Sequence, residues 1–170
     1  MTYAPFKIRI YAFLLDYLII IAYGIFVVGT ISIVFQSFVN PLFSGSPVIA
    51  ELTGFFMITL PVSLYFILCE SSKWQGTLGK RKMGIRVVDD EGRRIGIGRS
   101  TLRTAVKFLP WEVAHFGIWR LILPTDFSET TVFVILNAVN LAILLYLIIP
   151  LTNKNRKNIY DWVAGTKVLR

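Results

Sequence analysis

A long apolar run at residues 8–35 constrains the fold of this chain more than any other feature. Only two charged residues fall within it, Arg9 near its start and Asp16 about two turns further on. A helix that crosses the hydrocarbon core of a bilayer needs about 20 apolar residues, whereas the apolar part of a secretory signal has roughly 7–15. The run therefore predicts a membrane-spanning helix.

Three further apolar segments, at residues 52–69, 106–123 and 131–150, predict an all-α membrane protein with four transmembrane helices in one domain, residues 1–170. Hydrophobic residues make up 55% of the 170 and charged residues 16%, which excludes an ordinary soluble domain. The third segment is short and contains Glu112, His115 and Arg120. It either continues a preceding basic helix across the membrane or enters part-way and returns.

The distribution of Lys and Arg predicts the orientation of the chain. The net charge is +8, and the basic residues cluster near the N-terminus, in the middle segment and in the tail. The two connecting segments at residues 36–51 and 124–130 contain no Lys or Arg. The positive-inside rule then places both termini and the middle segment in the cytoplasm and accounts for the positive charge without nucleic acid.

The cytoplasmic part, residues 70–105 together with the tail 151–170, is predicted to contain a small β-hairpin. Its strands are IRVV and RRIGI, joined by a DDEG turn, and the late TKVL segment is a candidate third strand. Next to it, Arg99, Arg103 and Lys107 repeat every four residues. This stripe predicts an amphipathic helix on the membrane surface. The three cations either follow from the positive-inside rule alone or contact anionic lipid.

Asp16 is the most informative single residue because a carboxylate within a spanning helix is costly unless it faces the protein interior. It is either a hydrogen-bonded structural residue or a proton- or cation-binding site. Its expected partners are polar residues of other helices, namely Thr59, Ser63, Asn137 and Asn140. An enzyme, a cofactor and a metal site are not expected, since the chain has one His and one Cys; Glu112 and His115 alone make a weak metal-site signal.

Three strings of the sequence, RIYAFLLDYL, TLGKRKMGIRVVDDEG and YDWVAGTKVL, resemble the RDD family of small bacterial membrane proteins. The resemblance implies that Arg9 and Asp16 match the Arg and the first Asp for which the family is named, and that Asp161 matches the second Asp. Tyr160 stands where the family often has His. We expect Asp161 to pair with Arg86, Arg99 or Arg103 of the middle segment.

The family is largely uncharacterised, with transport suggested for it. The first functional hypothesis is therefore transport of a small cation or a proton-coupled solute across the bacterial cytoplasmic membrane. The alternative is a non-catalytic scaffold that binds lipid or a partner protein. A chain of this size is expected to form a homo-oligomer or to associate with a membrane partner. The candidate site residues are Arg9, Asp16, Asp161, Asn137 and Asn140, with Arg99, Arg103 and Lys107 as candidates for contact with anionic lipid.

Overall fold

The computed structural model describes residues 2–170 and is mostly helical. Three of its helices are long and apolar enough to cross a membrane: α1 (Phe6–Val34), α3 (Pro47–Ser71) and α6 (Glu129–Thr152). A π-helical turn interrupts α1 at Gly24–Gly29 and another interrupts α3 at Phe55–Thr59, just before Pro61. Since Pro61 has no N–H to donate, a local change in the hydrogen-bond pattern is expected there. With three helices that can each cross a membrane, the protein is a multi-pass membrane protein.

The connection between α1 and α3 is not an irregular loop, although it contains the dipeptides Asn40-Pro41, Ser44-Gly45 and Ser46-Pro47. It contains α2 (Gln36–Ser44), which includes Pro41 and buries Val39. The turn between α1 and α2 lies at Phe35, whose φ of −110° and ψ of 30° leave the helical region. Three dipeptides rich in Pro, Gly and Ser thus bound or interrupt helices here without abolishing them.

The predicted surface helix and the third membrane segment are one continuous helix, α5 (Ile97–Ile122). Pro110 lies inside it and removes one backbone hydrogen bond without ending it. The helix is long enough to cross a membrane, yet it is not among the three apolar spans because five charged residues lie along it. They are Arg99, Arg103, Lys107, Glu112 and Arg120.

The predicted β-hairpin is wrong, whereas the predicted pairing of the tail is confirmed. Strand β1 (Arg86–Asp89) pairs antiparallel with β2 (Thr166–Leu169), and the RRIGI segment contributes only an isolated bridge between Arg94 and Val88. The Asp89 carboxylate accepts the backbone N–H groups of Glu91 and Arg93 at 3.1 and 2.8 Å, which closes a tight turn. Helix α5 begins at Ile97, and so little chain is left for a second strand.

The chain divides into two compact units. The first contains the chain up to Ile20, Val62–Phe108 and Leu144–Arg170, and the second contains Ile21–Pro61 and Leu109–Ile143. The first unit also includes the short helices α4 (Leu78–Lys82) and α7 (Ile159–Val163) and the sheet. Its apolar core consists of Ala4, Ala12, Ile85, Val87, Ile95 and Val168.

Candidate functional site

Asp16 lies in the first unit and is only 1% exposed. Its Oδ1 accepts hydrogen bonds from the Tyr65 hydroxyl and the Gly79 backbone N–H, both at 2.8 Å. Its Oδ2 accepts one from the Thr77 hydroxyl at 2.5 Å. Three protein donors therefore surround the carboxylate, and each of them is uncharged.

The TLGK string, residues 77–80, forms this environment because it turns tightly against α1. The Thr77 side chain caps α4, and the Tyr65 hydroxyl accepts the backbone N–H of Leu78 at 2.9 Å. At Gly79 a Cβ atom would lie 2.1 Å from the backbone oxygen of Ala12 and 2.9 Å from Cγ of Asp16. Only glycine allows the two segments to approach so closely.

A second buried group of charges is centred on Arg103, which is 2% exposed. Its Nε and Nη2 donate to Oδ1 of Asp161 at 3.0 and 2.8 Å, and its Nη1 donates to Oε2 of Glu70 at 2.6 Å. Both carboxylates are fully buried. One guanidinium on α5 thus joins the end of α3 to α7 in the C-terminal tail.

Two further cations complete this group. Arg9 donates from Nη2 to Oδ2 of Asp161 at 2.8 Å, and the Lys80 ammonium lies 3.0 Å from Oε1 of Glu70. Burial by itself would raise the pKa of Asp161, but the nearby Arg103 and Arg9 outweigh it and hold the pKa at about 2. Asp161 is therefore a carboxylate at neutral pH.

A cavity of about 60 Å³ lies between the Asp16 environment and the Arg103 group. Lys107 also lines it, with its ammonium 3.4 Å from the ring centroid of Phe66. Unlike the other three cations, Lys107 makes no salt bridge to a carboxylate within residues 2–170. We call the cavity and the polar residues that line it the cationic cavity: Arg9, Asp16, Lys80, Arg103, Lys107 and Tyr160.

The structure brings together five of the residues singled out from the sequence: Arg9, Asp16, Asp161, Arg103 and Lys107. The expected pairing of Asp161 with a middle-segment Arg is confirmed for Arg103. Arg103 and Lys107 face the interior of the first unit, which corrects the prediction of a surface stripe. Of that stripe, Arg99 is the exposed member, and its Nη1 lies 3.3 Å from Oδ2 of Asp89.

The partners expected for Asp16 are wrong. Thr59 instead donates to Glu112 at 2.6 Å, and Asn137 donates to the backbone oxygen of Phe133 at 2.8 Å. Asn137 and Asn140 lie in the second unit, and Asp16 contacts neither of them nor Ser63. Sequence reasoning missed Tyr65, Glu70, Thr77, Gly79 and Lys80, although three of these lie in the TLGK segment.

The second unit contains its own polar contacts. Arg120 pairs with Glu51 at 2.9 Å, and Nδ1 of His115 lies 3.8 Å from the Glu112 carboxylate. Among residues 2–170, no three His, Cys, Asp or Glu side chains come together as a metal site would require. Glu112 and His115 are thus not part of such a group, and Glu112 accepts the Thr59 hydroxyl instead.

Comparisons with known proteins identify a relative and a family for this chain. An uncharacterized protein of Bacillus subtilis (strain 168), YxaI, is 27% identical over 124 residues, which cover 67% of this chain and 82% of the relative. No solved structure matches the chain. The model of the RDD family matches residues 3–165, a range that includes Arg9, Asp16, Arg103 and Asp161. This chain belongs to the RDD family.

Proposed function

We propose that the protein crosses the cytoplasmic membrane four times, with α5 as the additional crossing and both termini in the cytoplasm. Each of the four long helices contributes one part to each compact unit, and α5 does so in the same way as the three apolar spans. Arg120 is the only Lys or Arg of the second unit, so 17 of the 18 basic residues belong to the first. The positive-inside rule makes the first unit the cytoplasmic one.

We further propose that the first unit binds a small anionic group in the cationic cavity. The observation that supports this most directly is the Lys107 ammonium, which reaches the cavity without a carboxylate partner. The other basic side chains of the cavity already have carboxylate partners: Arg9 and Arg103 pair with Asp161, and Lys80 and Arg103 pair with Glu70. An anionic group that enters beside Lys107 would supply the partner that the other three basic side chains already have, and it would stabilise the ammonium form of Lys107.

The size of the cavity limits what can enter it. About 60 Å³ corresponds to roughly two water molecules at the volume each occupies in the liquid. A halide ion fits such a space, as does one anionic group of a larger molecule. The shared chemistry is thus a single small anion or the charged group of a phosphate or carboxylate, supplied either by a lipid headgroup or by a solute.

A cation site at Asp16 has less support from the same contacts. Three donors already point at the two carboxylate oxygens, and a bound metal cation would have to replace them. The basic side chains Arg9, Lys80 and Arg103 on the cavity would also repel it. We therefore favour the non-catalytic, lipid- or ligand-binding role over cation transport through Asp16.

The decisive test compares native protein with Lys107→Met in nanodiscs of neutral or anionic lipid. A bound ligand raises the melting temperature by mass action. We expect phosphate or chloride to stabilise native protein in neutral lipid if the ligand is a solute. Anionic lipid alone should stabilise it if the ligand is a headgroup, and Lys107→Met should abolish either effect.

Lys82→Met is the matched control because Lys82 is exposed and lies outside the cavity. It should leave the ligand effect intact. A native protein that neither the free anions nor anionic lipid stabilises would contradict the proposal, as would an equal loss of the effect in both variants.

Cation transport is tested separately by proton flux driven by sodium, potassium or lithium gradients in proteoliposomes. We expect no cation-dependent flux above that of empty liposomes. Flux in the native protein that disappears in a folded Asp16→Asn variant would instead establish Asp16 as part of a transport route.

A further inference from the structure

Two asparagines lie on the outer surface of α6, near the middle of this apolar span. Asn137 and Asn140 are both exposed, and the helix has the highest mean hydropathy of the three spans, 2.7. Asn137 donates one N–H to Phe133 of its own helix. Its side-chain oxygen and the whole amide of Asn140 have no hydrogen-bond partner within residues 2–170.

An amide that faces hydrocarbon lacks the water that would satisfy it at a protein surface in solution. Polar side chains in spanning helices accordingly tend to face another helix, across which they hydrogen-bond. Since Asn137 and Asn140 are three residues apart, they share one face of α6. That face therefore requires a polar partner at mid-membrane depth.

The exposed residues around the two asparagines have a regular spacing. Steps of four and three residues alternate along one stripe of α6, which is the spacing of a left-handed helix pair. Every member of the stripe is exposed, whereas Val132 and Val139, which lie roughly 100–120° around the helix from it, are buried. The stripe consists of Phe133, Asn137, Asn140, Leu144, Leu147 and Leu151.

A second copy of the same chain supplies the partner that this stripe needs. The asparagine amide both donates and accepts hydrogen bonds, so it is complementary to itself. Two identical copies insert with the same orientation, and a two-fold axis along the membrane normal then makes their α6 helices parallel. In such a pair each position of the seam meets its own counterpart, so that Asn137 faces Asn137 and Asn140 faces Asn140.

We propose that the protein forms a parallel homodimer through α6, with Asn137 and Asn140 hydrogen-bonded across the two-fold axis. The apolar members of the stripe pack above and below the two amides. This interface is distinct from the cationic cavity, because no residue of the stripe lines the cavity.

Cysteine cross-linking in liposomes tests the geometry. In a Cys69→Ser background, which removes the single native thiol, Asn137→Cys or Asn140→Cys should form a disulfide-linked dimer on mild oxidation. Ala138→Cys is the control, because Ala138 is exposed but points more than a quarter-turn away from the stripe. Equal cross-linking at Ala138, or none at either asparagine position, would overturn the proposal.

A second measurement tests the role of the amides. Single-molecule photobleaching of labelled protein in dilute liposomes gives the fraction of dimers. We expect the double variant Asn137→Leu/Asn140→Leu to weaken dimerisation roughly tenfold, while Ala138→Leu leaves it unchanged. A monomeric native protein, or an undiminished dimer in a double variant with native helical content, would also overturn it.

Discussion

Arg103 donates two of its N–H groups to a single oxygen of Asp161, although 58 residues separate them in the chain. The same guanidinium reaches Glu70 with its remaining terminal nitrogen. This contact ties α5 to the C-terminal tail, and Arg9 of α1 reaches the other oxygen of the same carboxylate. Asp161 is therefore the point at which both ends of the sequence meet the middle segment.

Replacing Asp161 with Asn should strongly destabilise the protein. The variant leaves the buried Arg103 and the partly buried Arg9 with less compensating charge, and breaking a buried ion pair by removing one partner costs about 3–5 kcal/mol. Unfolding of the purified protein in detergent, followed by circular dichroism, measures the loss. Glu91→Gln is the control, since its exposed pair with Arg93 should contribute less than about 1 kcal/mol. Equal stability of the two variants would contradict a structural role for Asp161.

Gly79→Ala tests whether the close approach of the TLGK segment to α1 stabilises the protein around Asp16. A methyl group at this position would lie 2.1 Å from the backbone oxygen of Ala12, so α1 and the TLGK segment would have to separate. We expect a loss of at least about 1–3 kcal/mol, the usual range for overpacking. Thermal unfolding in detergent measures it.

The matched control is Gly98→Ala near the start of α5. A Cβ there meets no atom within 4 Å, and Ala favours helix over Gly by up to about 1 kcal/mol. This variant should be neutral or slightly more stable. A Gly79→Ala protein as stable as the Gly98→Ala protein would show that the close approach is not required.

The membrane spans and the strand of the tail could be predicted because both depend on local sequence patterns. Length and hydropathy locate α1, α3 and α6, while β-propensity locates the TKVL strand. Arg9, Asp16 and Asp161 were singled out by their charge in apolar surroundings or by resemblance. All three residues lie in the first unit of the structure.

The contacts within the cationic cavity could not be predicted in the same way. Tyr65 and Thr77 donate to Asp16 because α4 turns back against α1, and no periodicity in the sequence encodes that turn. The Arg103 and Lys107 stripe was assigned to the membrane surface because its spacing defines a helix face but not what the face meets. Only tertiary packing determines whether Arg103 contacts a lipid headgroup or the buried carboxylate of Glu70.

Stability should depend on pH through Asp161. Its pKa is lowered to about 2, below the ordinary value of about 3.9, because Arg103 and Arg9 outweigh the effect of burial. A carboxylate whose pKa is depressed by folding contributes stability that is complete above about pH 4 and is lost as the pH falls towards 2. The expected contribution is roughly 2 kcal/mol.

Melting temperatures between pH 7 and 2.5 measure this contribution, and Asp161→Asn should show a smaller decline below pH 4. Identical declines would assign the acid sensitivity to other carboxylates.

Tyr65→Phe tests whether the donors around Asp16 stabilise its carboxylate. The hydroxyl both donates to Asp16 and accepts the N–H of Leu78, so its removal leaves two groups of the site without their partner. Because an unsatisfied buried polar group costs about 1–3 kcal/mol, we expect a loss within or slightly above that range, measured by thermal unfolding in detergent. Tyr17→Phe on α1 is the control: Tyr17 is exposed, and its hydroxyl makes no hydrogen bond within residues 2–170. If both variants unfold at the same temperature as the native protein, the Tyr65 hydroxyl does not hold Asp16 in place. Access of water to the Asp16 carboxylate would then explain why the protein tolerates the loss of this hydroxyl.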